Sequence, residues 1–288
     1  MDLAAIVALN ILNGIGSLVL LSLGLAIIFG MMRVINLAHG EFLMLGAYTT
    51  VFTTNAGLNI WIAMLVVSPL LVGAIGVAVE RGIIRFLYGR MVDTMLATWG
   101  LSLFIIGLIT TIFGNTANGV PAPLGSFGIG DYRASYYSIV LIVIAAALMV
   151  AVYLVLRFTR FGLVARATMQ NPNMASALGI SPPRIYMATF GIGAAVSGLA
   201  GGVLAPISGI IPVMGAAYIA KAFITVVSGG ASILAGTLAA STLFGLINQV
   251  ATFGTTPVFG EVALFISAIV LLRALPQGIT GRFFKGRL

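Results

Sequence analysis

Long apolar segments separated by short polar stretches account for most of the 288-residue chain. A helix that crosses the hydrocarbon of a membrane needs about 20 mostly apolar residues. The pattern therefore predicts an all-α integral membrane protein, a polytopic bundle of roughly eight or nine transmembrane helices. The predicted apolar segments are residues 4–32, 42–54, 60–79, 95–113, 138–156, 185–207, 218–234, 236–253 and 257–272.

The number of helices depends on the seventh and eighth segments, which are short. They meet at the glycine-rich sequence SGGASILAG, residues 228–236. Glycine weakens a helix and permits sharp bends. Residues 218–253 are therefore consistent with two spans, with a re-entrant pair or with one broken helix.

Composition also indicates a membrane protein. Hydrophobic residues make up 60% of the chain and charged residues 7%, whereas about 25% of a typical soluble domain is charged. The net charge of +8 does not predict nucleic-acid binding, because the basic residues lie between apolar segments and form no binding face. The absence of cysteine excludes disulfides and thiolate metal sites. The first residues lack the features of a signal peptide, so we expect them to begin the first span.

The positions of lysine and arginine predict the orientation. Three regions hold most of the 14 basic residues, and alternating spans place all three on one side, which the positive-inside rule identifies as the cytoplasm. The N-terminus is then outside and the C-terminus cytoplasmic. On the other side, the charged residues of loops 55–59 and 114–137 are Asp131 and Arg133. The three regions contain Arg81, Arg85 and Arg90; Arg157, Arg160, Arg166 and Arg184; and Arg273, Arg282, Lys285 and Arg287.

Small residues indicate where helices pack closely. Ala194, Gly198 and Gly202 are spaced by four and share one helical face, the pattern that lets membrane helices approach each other. A weak similarity links LMLGAY (43–48) to VMGAAY (213–218). Transporters often contain internal repeats, but six residues are too few to establish one.

The loop between the fifth and sixth segments, residues 157–184, is much longer than a connection between two spans requires. Residues 162–169 predict one short helix. Asn171 and Pro172 suit the N-cap and first position of a second helix, and Gly179 suits its C-cap.

The second helix, about two turns long, is too short to be stable alone and must pack against something. Its Met174 and Leu178 are predicted to be exposed. Two hypotheses remain open: the helix lies on the membrane interface, or it docks onto a separate cytoplasmic subunit.

Polar residues concentrate in MMRVINLAHGEFLMLGAY, residues 31–48, which includes Arg33, Asn36, His39 and Glu41. His39 is the only histidine, and Glu41 is one of six acidic residues. A charge at the bilayer centre costs about 2.5–3.5 kcal/mol. The segment is either an interfacial loop in which Asn36 caps a helix, or a broken helix in which Asn36, His39 or Glu41 lines or gates a solute path.

Two further charges lie within predicted spans. Lys221 begins the seventh segment, where its long side chain can reach the outer interface. Glu261 lies near the outer end of the last segment. We hypothesise that the two form an ion pair.

Four stretches of the chain resemble the permease family of ABC importers for branched-chain amino acids and for urea or short amides. They are spread over most of the sequence, and the first and third are the most specific. The chain departs from the family at Arg33, where a small residue such as glycine is expected. The stretches are GLAIIFGMMRVINLAHGEFLMLGAY (24–48), LATWGLSL (96–103), RFGLVARATMQNPNMASALGI (160–180) and SGLAGGVLAPI (197–207).

The resemblance implies a single transmembrane permease domain, residues 1–288, in a bacterial inner membrane. Its partners would be a second homologous permease in a homo- or heterodimer, two cytoplasmic ATPase subunits and a periplasmic solute-binding protein. The loop 157–184 would hold the coupling helix that inserts into the ATPase. The implied coupling residues are Asn171, Pro172, Met174, Ala175, Leu178 and Gly179, and the INLAHGE stretch that contains Asn36, His39 and Glu41 is a hallmark of the family.

The chain lacks the nucleotide-binding loop of an ATPase. That loop needs a lysine after glycine, and neither Lys221 nor Lys285 follows one. We therefore expect no cofactor on this chain, with ATP and magnesium bound by the partner ATPase subunits.

The sequence disfavours two other functions that a membrane protein of this size could have. A stand-alone channel or secondary transporter for a small neutral solute is disfavoured by the scarcity of carboxylates within spans, which are Glu41 and Glu261. An intramembrane enzyme is disfavoured because one histidine and no cysteine make a zinc site implausible and no G-x-S-x-G motif is present. The scarcity of ionisable groups favours a neutral solute such as urea or an amide over an amino acid.

Overall fold

A computed structural model describes residues 2–116, 119–130, 132–230 and 232–283, with side chains up to residue 281. Asp131, Lys285 and Arg287, which contributed to the predicted orientation, lie outside the described residues, as does Ala231 of the glycine-rich junction.

The described chain is almost entirely helical, as the apolar pattern predicts. One short antiparallel hairpin interrupts it, formed by β1 (Ser126–Ile129) and β2 (Tyr132–Ser135). The α-helices are α1 (Asp2–Met32), α2 (His39–Asn55), α3 (Ile60–Ile62), α4 (Ser68–Gly82), α5 (Met91–Phe113), α6 (Tyr136–Phe158), α7 (Arg160–Gln170), α8 (Pro172–Ala177), α9 (Pro182–Ser208), α10 (Met214–Gly229), α11 (Ile233–Gly254), α12 (Pro257–Ala274) and α13 (Gly278–Phe283).

Seven helices in the described part of the chain are long and apolar enough to cross a membrane. Two further helices are shorter: α2 has 17 residues and α10 has 16, fewer than the roughly 20 that a full span needs. The seven are Asp2–Met32, Ile60–Gly82, Met91–Phe113, Tyr136–Phe158, Pro182–Ser208, Ile233–Gly254 and Pro257–Gly281.

The chain divides into two compact units. Unit 1 consists of Met1–Ser22, Ala122–Val150 and Lys221–Leu288, and unit 2 consists of Leu23–Pro121 and Ala151–Ala220. Unit 2 contains the polar segment 31–48 and the loop 157–184, so the residues singled out in the sequence for coupling and for the solute path lie in one unit.

Helix α9 is the centre of unit 2, and its face of small residues packs against α4 and α2. Ala194 is beside Gly76 of α4, and Gly198 contacts Val72 of the same helix. Gly202, one turn further on, lies beside Thr50 of α2. The predicted small-residue face thus lies where α9 meets two other helices.

The approach of α9 to α2 is close enough for backbone to meet backbone. A Cβ on Gly46 would overlap the carbonyl of Gly198, and one on Gly201 would overlap the carbonyl of Leu43. The Ser68 hydroxyl lies 2.7 Å from the Gly198 oxygen and 3.1 Å from the Gly46 oxygen, so its proton is shared between two helices. Lipid supplies no hydrophobic force between helices, and such contacts hold them together.

A π-helical turn, Ala63–Val67, joins α3 to α4 within the continuous helix Ile60–Gly82. Pro69 in the first turn of α4 has no N–H and its ring cannot accommodate a regular preceding turn. The π-helical turn lies directly before Ser68, whose buried hydroxyl is hydrogen-bonded to the neighbouring helices.

Unit 1 is also stabilised by close helix contacts. Gly245 of α11 lies against the backbone of Ile15 in α1, and Gly16 of α1 contacts Leu141 of α6. Helices α10 and α11 are separate and meet where the backbones of Gly229 and Gly236 touch.

The glycine packing of α9 generates a prediction. We expect Gly201→Ala to destabilise the protein by about 1–3 kcal/mol, because its methyl group would force α9 away from the Leu43 backbone. The measurement is thermal unfolding in detergent.

Gly100→Ala is the matched control, because Gly100 lies within α5 and nothing approaches the position of its Cβ. Alanine there should be neutral or stabilising by about 0.5–1 kcal/mol. Equal unfolding temperatures for the two variants would contradict the role given to the α9 contact.

Candidate functional site

The polar segment begins where α1 ends. Arg33 has a positive φ of 52°, the left-handed conformation that disfavours residues with a Cβ. Its N–H still donates to the Phe29 carbonyl at 2.9 Å, which closes the last turn of α1. The resemblance to the permease family led us to expect a small residue such as glycine at this position. The positive φ explains why glycine suits it.

The loop after Arg33 is fixed by side chains. The Asn36 carboxamide oxygen accepts the Ala38 N–H at 3.0 Å, which forms a local turn immediately before α2. The Leu37 N–H donates to the Thr98 hydroxyl of α5 at 3.1 Å. The hypothesis that Asn36 caps a helix is wrong, because the N-cap of α2 is Ala38 and no side chain caps this helix. Asn36 itself is buried, whereas Arg33 at the start of the loop is exposed.

His39 begins α2 and is fully buried. Its Nδ1 lies 3.2 Å from the Ser197 hydroxyl of α9, and that hydroxyl donates to the Gly193 carbonyl at 2.8 Å. Which of the two atoms donates depends on the tautomer of the imidazole, and in either case the contact joins polar groups of α2 and α9. His39 thus helps to join α2 to α9.

Glu41 lies in the first turn of α2 and is 1% exposed. The Ser102 hydroxyl of α5 hydrogen-bonds to its carboxylate, and its Oε1 lies beside Gly215 in the first turn of α10. The other oxygen, Oε2, is buried and has no hydrogen-bond partner.

The N-terminal ends of the two short helices meet at glycines. A Cβ on Gly40 would overlap the carbonyl of Gly215, and a Cβ on Gly215 would lie 2.7 Å from the carbonyl carbon of Gly40. Any larger residue at either position would separate α2 from α10 at Glu41.

Asn36, His39 and Glu41 therefore belong to one closed cluster in unit 2 with residues of α5, α9 and α10. The sequence did not predict that Thr98, Ser102 and Ser197 belong to this cluster. A usable indication was present for two of them: Thr94, Thr98 and Ser102 repeat every four residues, which places hydroxyl groups along one face of α5.

The loop 157–184 forms two capped helices. The Thr159 hydroxyl accepts the Gly162 N–H at 3.1 Å at the start of α7. The Asn171 side chain accepts the Met174 N–H at 3.0 Å at the start of α8, and Pro172 is its first residue. Gly179 has a φ of 83°, and the Ile180 N–H returns to the Ala175 carbonyl. These bonds close both ends of a helix that is too short to persist alone.

Helix α8 presents two large apolar side chains outward. Met174 is 59% exposed and Leu178 is 73% exposed. Ala175, which the family resemblance implied as a contact residue, is 3% exposed. Ala175 is therefore not part of the outward surface of α8. That surface includes Met174 and Leu178, together with the exposed residues Asn171, Pro172, Asn173, Ser176, Ala177 and Gly179.

A buried carboxylate near the start of α9 was not predicted. Glu80 of α4 is fully buried and accepts a hydrogen bond from the Tyr88 hydroxyl. The Tyr88 ring packs edge-on against Tyr186 of α9, with ring centres 5.0 Å apart. Burial, and then the bond to Glu80, raise the pKa of Tyr88. The loop 83–90 is thereby joined to the helix that follows α8.

The hypothesised ion pair is confirmed. Lys221 Nζ of α10 lies 2.5 Å from Glu261 Oε1 of α12. The lysine side chain is 19% exposed and the glutamate side chain 52%, so pairing offsets the cost of placing the lysine largely within apolar surroundings.

These features define a multi-pass membrane protein with a closed polar cluster and one outward-facing capped helix. Comparison with known proteins gives the family. The sequence model of the family described as branched-chain amino acid transport system / permease component matches residues 7–275. The chain belongs to this family of permease components, and the seven apolar helices in its described part agree with a multi-pass protein of the inner membrane.

Individual relatives cover nearly the whole chain. The high-affinity branched-chain amino acid transport system permease protein LivH of Escherichia coli K12 is 28% identical over 279 residues, 91% of each chain. BraD of Pseudomonas aeruginosa, of the same description, is 29% identical over 284 residues, 91% of each chain. The probable LivH of Methanocaldococcus jannaschii is 29% identical over 287 residues, covering 93% of this chain and 90% of its own. No solved structure matches the chain significantly.

Proposed function

We propose that this chain is the transmembrane permease of an ATP-driven importer for branched-chain amino acids and that force reaches it through α8. The observation that supports this most directly is the exposure of Met174 and Leu178 on a helix closed at both ends by hydrogen bonds. A pair of apolar side chains on a rigid projection suits insertion into a cleft of another protein.

The partners follow from the family. We propose a second homologous permease, identical or related, two cytoplasmic ATPase subunits and a periplasmic solute-binding protein. ATP and magnesium would be bound and ATP hydrolysed in the ATPase subunits, because this chain has no nucleotide-binding loop.

Force delivered to α8 would act on α9. Gly179 ends α8 and Pro182 begins α9, so the connection is very short. Helix α9 then packs on α2 and α4 through backbone contacts that leave little room for independent movement. A displacement of α8 would therefore shift the cluster formed by Asn36, His39 and Glu41.

We propose that this cluster lies on the solute path and is closed in the present conformation. The three residues are at most 1% exposed, and the contact between Gly40 and Gly215 lies beside Glu41. Opening this contact would expose the polar groups to a solute.

For the membrane topology we propose that α2 and α10 cross together with the seven long helices, which makes nine crossings. An odd number places the N-terminus outside and the C-terminus in the cytoplasm. The arginines before and within α7 and the arginines after α4 then lie on the cytoplasmic side.

The solute proposal follows the names of the relatives, which are branched-chain amino acid permeases. The scarcity of ionisable groups in the spans favoured urea or an amide instead. We expect leucine to stimulate ATP hydrolysis by the reconstituted importer by at least about tenfold more than urea or acetamide, since a difference of 1.4 kcal/mol in solute binding has that effect. Stimulation by urea or acetamide alone would reverse the assignment.

The docking surface can be tested by charge insertion. Leu178→Glu or Met174→Glu should leave the protein in the membrane and lower its affinity for the ATPase subunits about a hundredfold or more, because an unpaired charge within an interface costs about 3–5 kcal/mol. Co-purification of the ATPase with the permease measures this loss.

Leu58→Glu provides the matched control, since Leu58 is also exposed and lies in the loop on the proposed outer side. Undiminished co-purification of the ATPase with both α8 variants would show that α8 rests on lipid. Ala175→Glu is unsuitable for this test because the buried alanine position would misfold α8.

The topology can be tested with single cysteines, since the chain contains none of its own. In intact cells with a permeable outer envelope, a membrane-impermeant maleimide should label Leu58→Cys and spare Leu178→Cys. Inverted vesicles should show the opposite pattern. Labelling of Leu178→Cys from outside would refute the proposed orientation.

A further inference from the structure

The acidic residues in the described part of the chain have partners of different kinds. Two ion pairs are present, Arg90 with Asp93 and Lys221 with Glu261. Glu80 Oε1 accepts the Tyr88 hydroxyl, and Glu80 Oε2 is buried without a partner, as is Oε2 of Glu41. Glu41 has the Ser102 hydroxyl and is in neither ion pair.

Burial of Glu41 destabilises the closed conformation, because one of its carboxylate oxygens has no hydrogen bond. The residue is 1% exposed, and Oε2 has no donor. A buried polar atom without a hydrogen bond loses its hydration without compensation, and a charged one loses more. An ionisable side chain within the membrane-spanning part of a protein commonly marks a functional site.

The surroundings of Glu41 fit a solute site. Helices α2 and α10, with 17 and 16 residues, are roughly 24–26 Å long, which is less than the roughly 30 Å thickness of the hydrocarbon of a membrane. Their N-terminal ends meet at Gly40 and Gly215, next to Glu41. In transporters, short or interrupted helices that begin within the membrane commonly form the solute site.

We propose that the Glu41 carboxylate receives the primary ammonium group of the amino acid as the solute passes between α2 and α10. An ammonium group supplies a positively charged partner for the Glu41 carboxylate. It also supplies up to three N–H donors, one of which can bond to Oε2. A neutral amide supplies donors but leaves the charge uncompensated. This inference rests on the proposed function and specifies the chemistry of its site.

The chemistry also accounts for the glycine pair. The carboxylate would become accessible to the ammonium group when Gly40 and Gly215 separate, and the two glycines permit the contact to close again without a side chain between the helices. Glu41 is thus covered in the closed state and available in the open state.

The test uses the complete importer in proteoliposomes, with the binding protein loaded with radiolabelled leucine. Glu41→Gln preserves the shape of the side chain and removes its charge. We expect leucine delivered per ATP hydrolysed to fall about tenfold to a hundredfold, the effect of losing a hydrogen bond to a charged group. Subunit assembly should be unchanged, and Glu41→Asp should retain more delivery than Glu41→Gln.

Glu80→Gln is the matched control. Glu80 is equally buried, and its bond with Tyr88 survives the change to an amide, whose carbonyl oxygen still accepts the hydrogen bond from the Tyr88 hydroxyl. We expect leucine delivery per ATP to stay within about twofold of the unsubstituted importer, a change of less than half a kcal/mol.

A measurement on the unsubstituted importer covers the case in which a variant fails to assemble. A hydrophobic carbodiimide modifies carboxyl groups within the membrane, and mass spectrometry reports each site. During turnover, leucine should protect Glu41 at least about threefold and leave modification of Glu80 unchanged.

The outcomes separate the two proposals. If the unsubstituted importer delivers leucine but Glu41→Gln delivers it equally well, or leucine gives Glu41 no protection, the ammonium site is refuted and the permease function stands. If the unsubstituted importer delivers no leucine, the proposed function fails and the ammonium site fails with it.

Discussion

Close backbone contact between helices is the constraint on which unit 2 depends. Helix α9 places Gly198 and Gly201 against the backbones of α2 and α4. Apolar side chains gain nothing by leaving lipid for protein, so association relies on packing and on hydrogen bonds between helices. Glycine supplies both: it permits contact and brings carbonyl oxygens within reach of side chains such as Ser68.

The polar cluster is a consequence of that packing. With α2 held against α9, His39 reaches Ser197, and the loop before α2 lies against Thr98 of α5. Buried polar groups are tolerated when they are hydrogen-bonded. Glu41 and Glu80 each have one carboxylate oxygen without a hydrogen bond in the described structure. The proposed solute chemistry is assigned to Glu41 because this residue lies where α2 and α10 meet at Gly40 and Gly215.

The same arrangement connects the outward-facing helix to the cluster. Helix α8 is held at both ends by its caps, and α9 begins three residues after Gly179. The Tyr88–Tyr186 contact and the bond to Glu80 fix the beginning of α9. A partner that moved α8 would therefore act on a helix that is rigidly packed along its length.

Local patterns in the sequence determined the helices and many of their ends. Runs of apolar residues predicted the long spans, and Asn171, Pro172 and Gly179 predicted the limits of α8, because caps depend on the conformation of a few neighbouring residues. The spacing of Ala194, Gly198 and Gly202 likewise identified a packing face, since residues four apart share one side of a helix.

Only the tertiary structure decided what these elements meet. It buried Ala175, placed Glu41 beside Gly215, and brought Ser102 and Ser197 to the polar segment. These contacts join residues far apart in the chain, and hydrophobic periodicity gives no information about which helix becomes a neighbour. Burial and hydrogen-bond satisfaction therefore depend on the packed bundle, whereas helix formation depends on the local sequence.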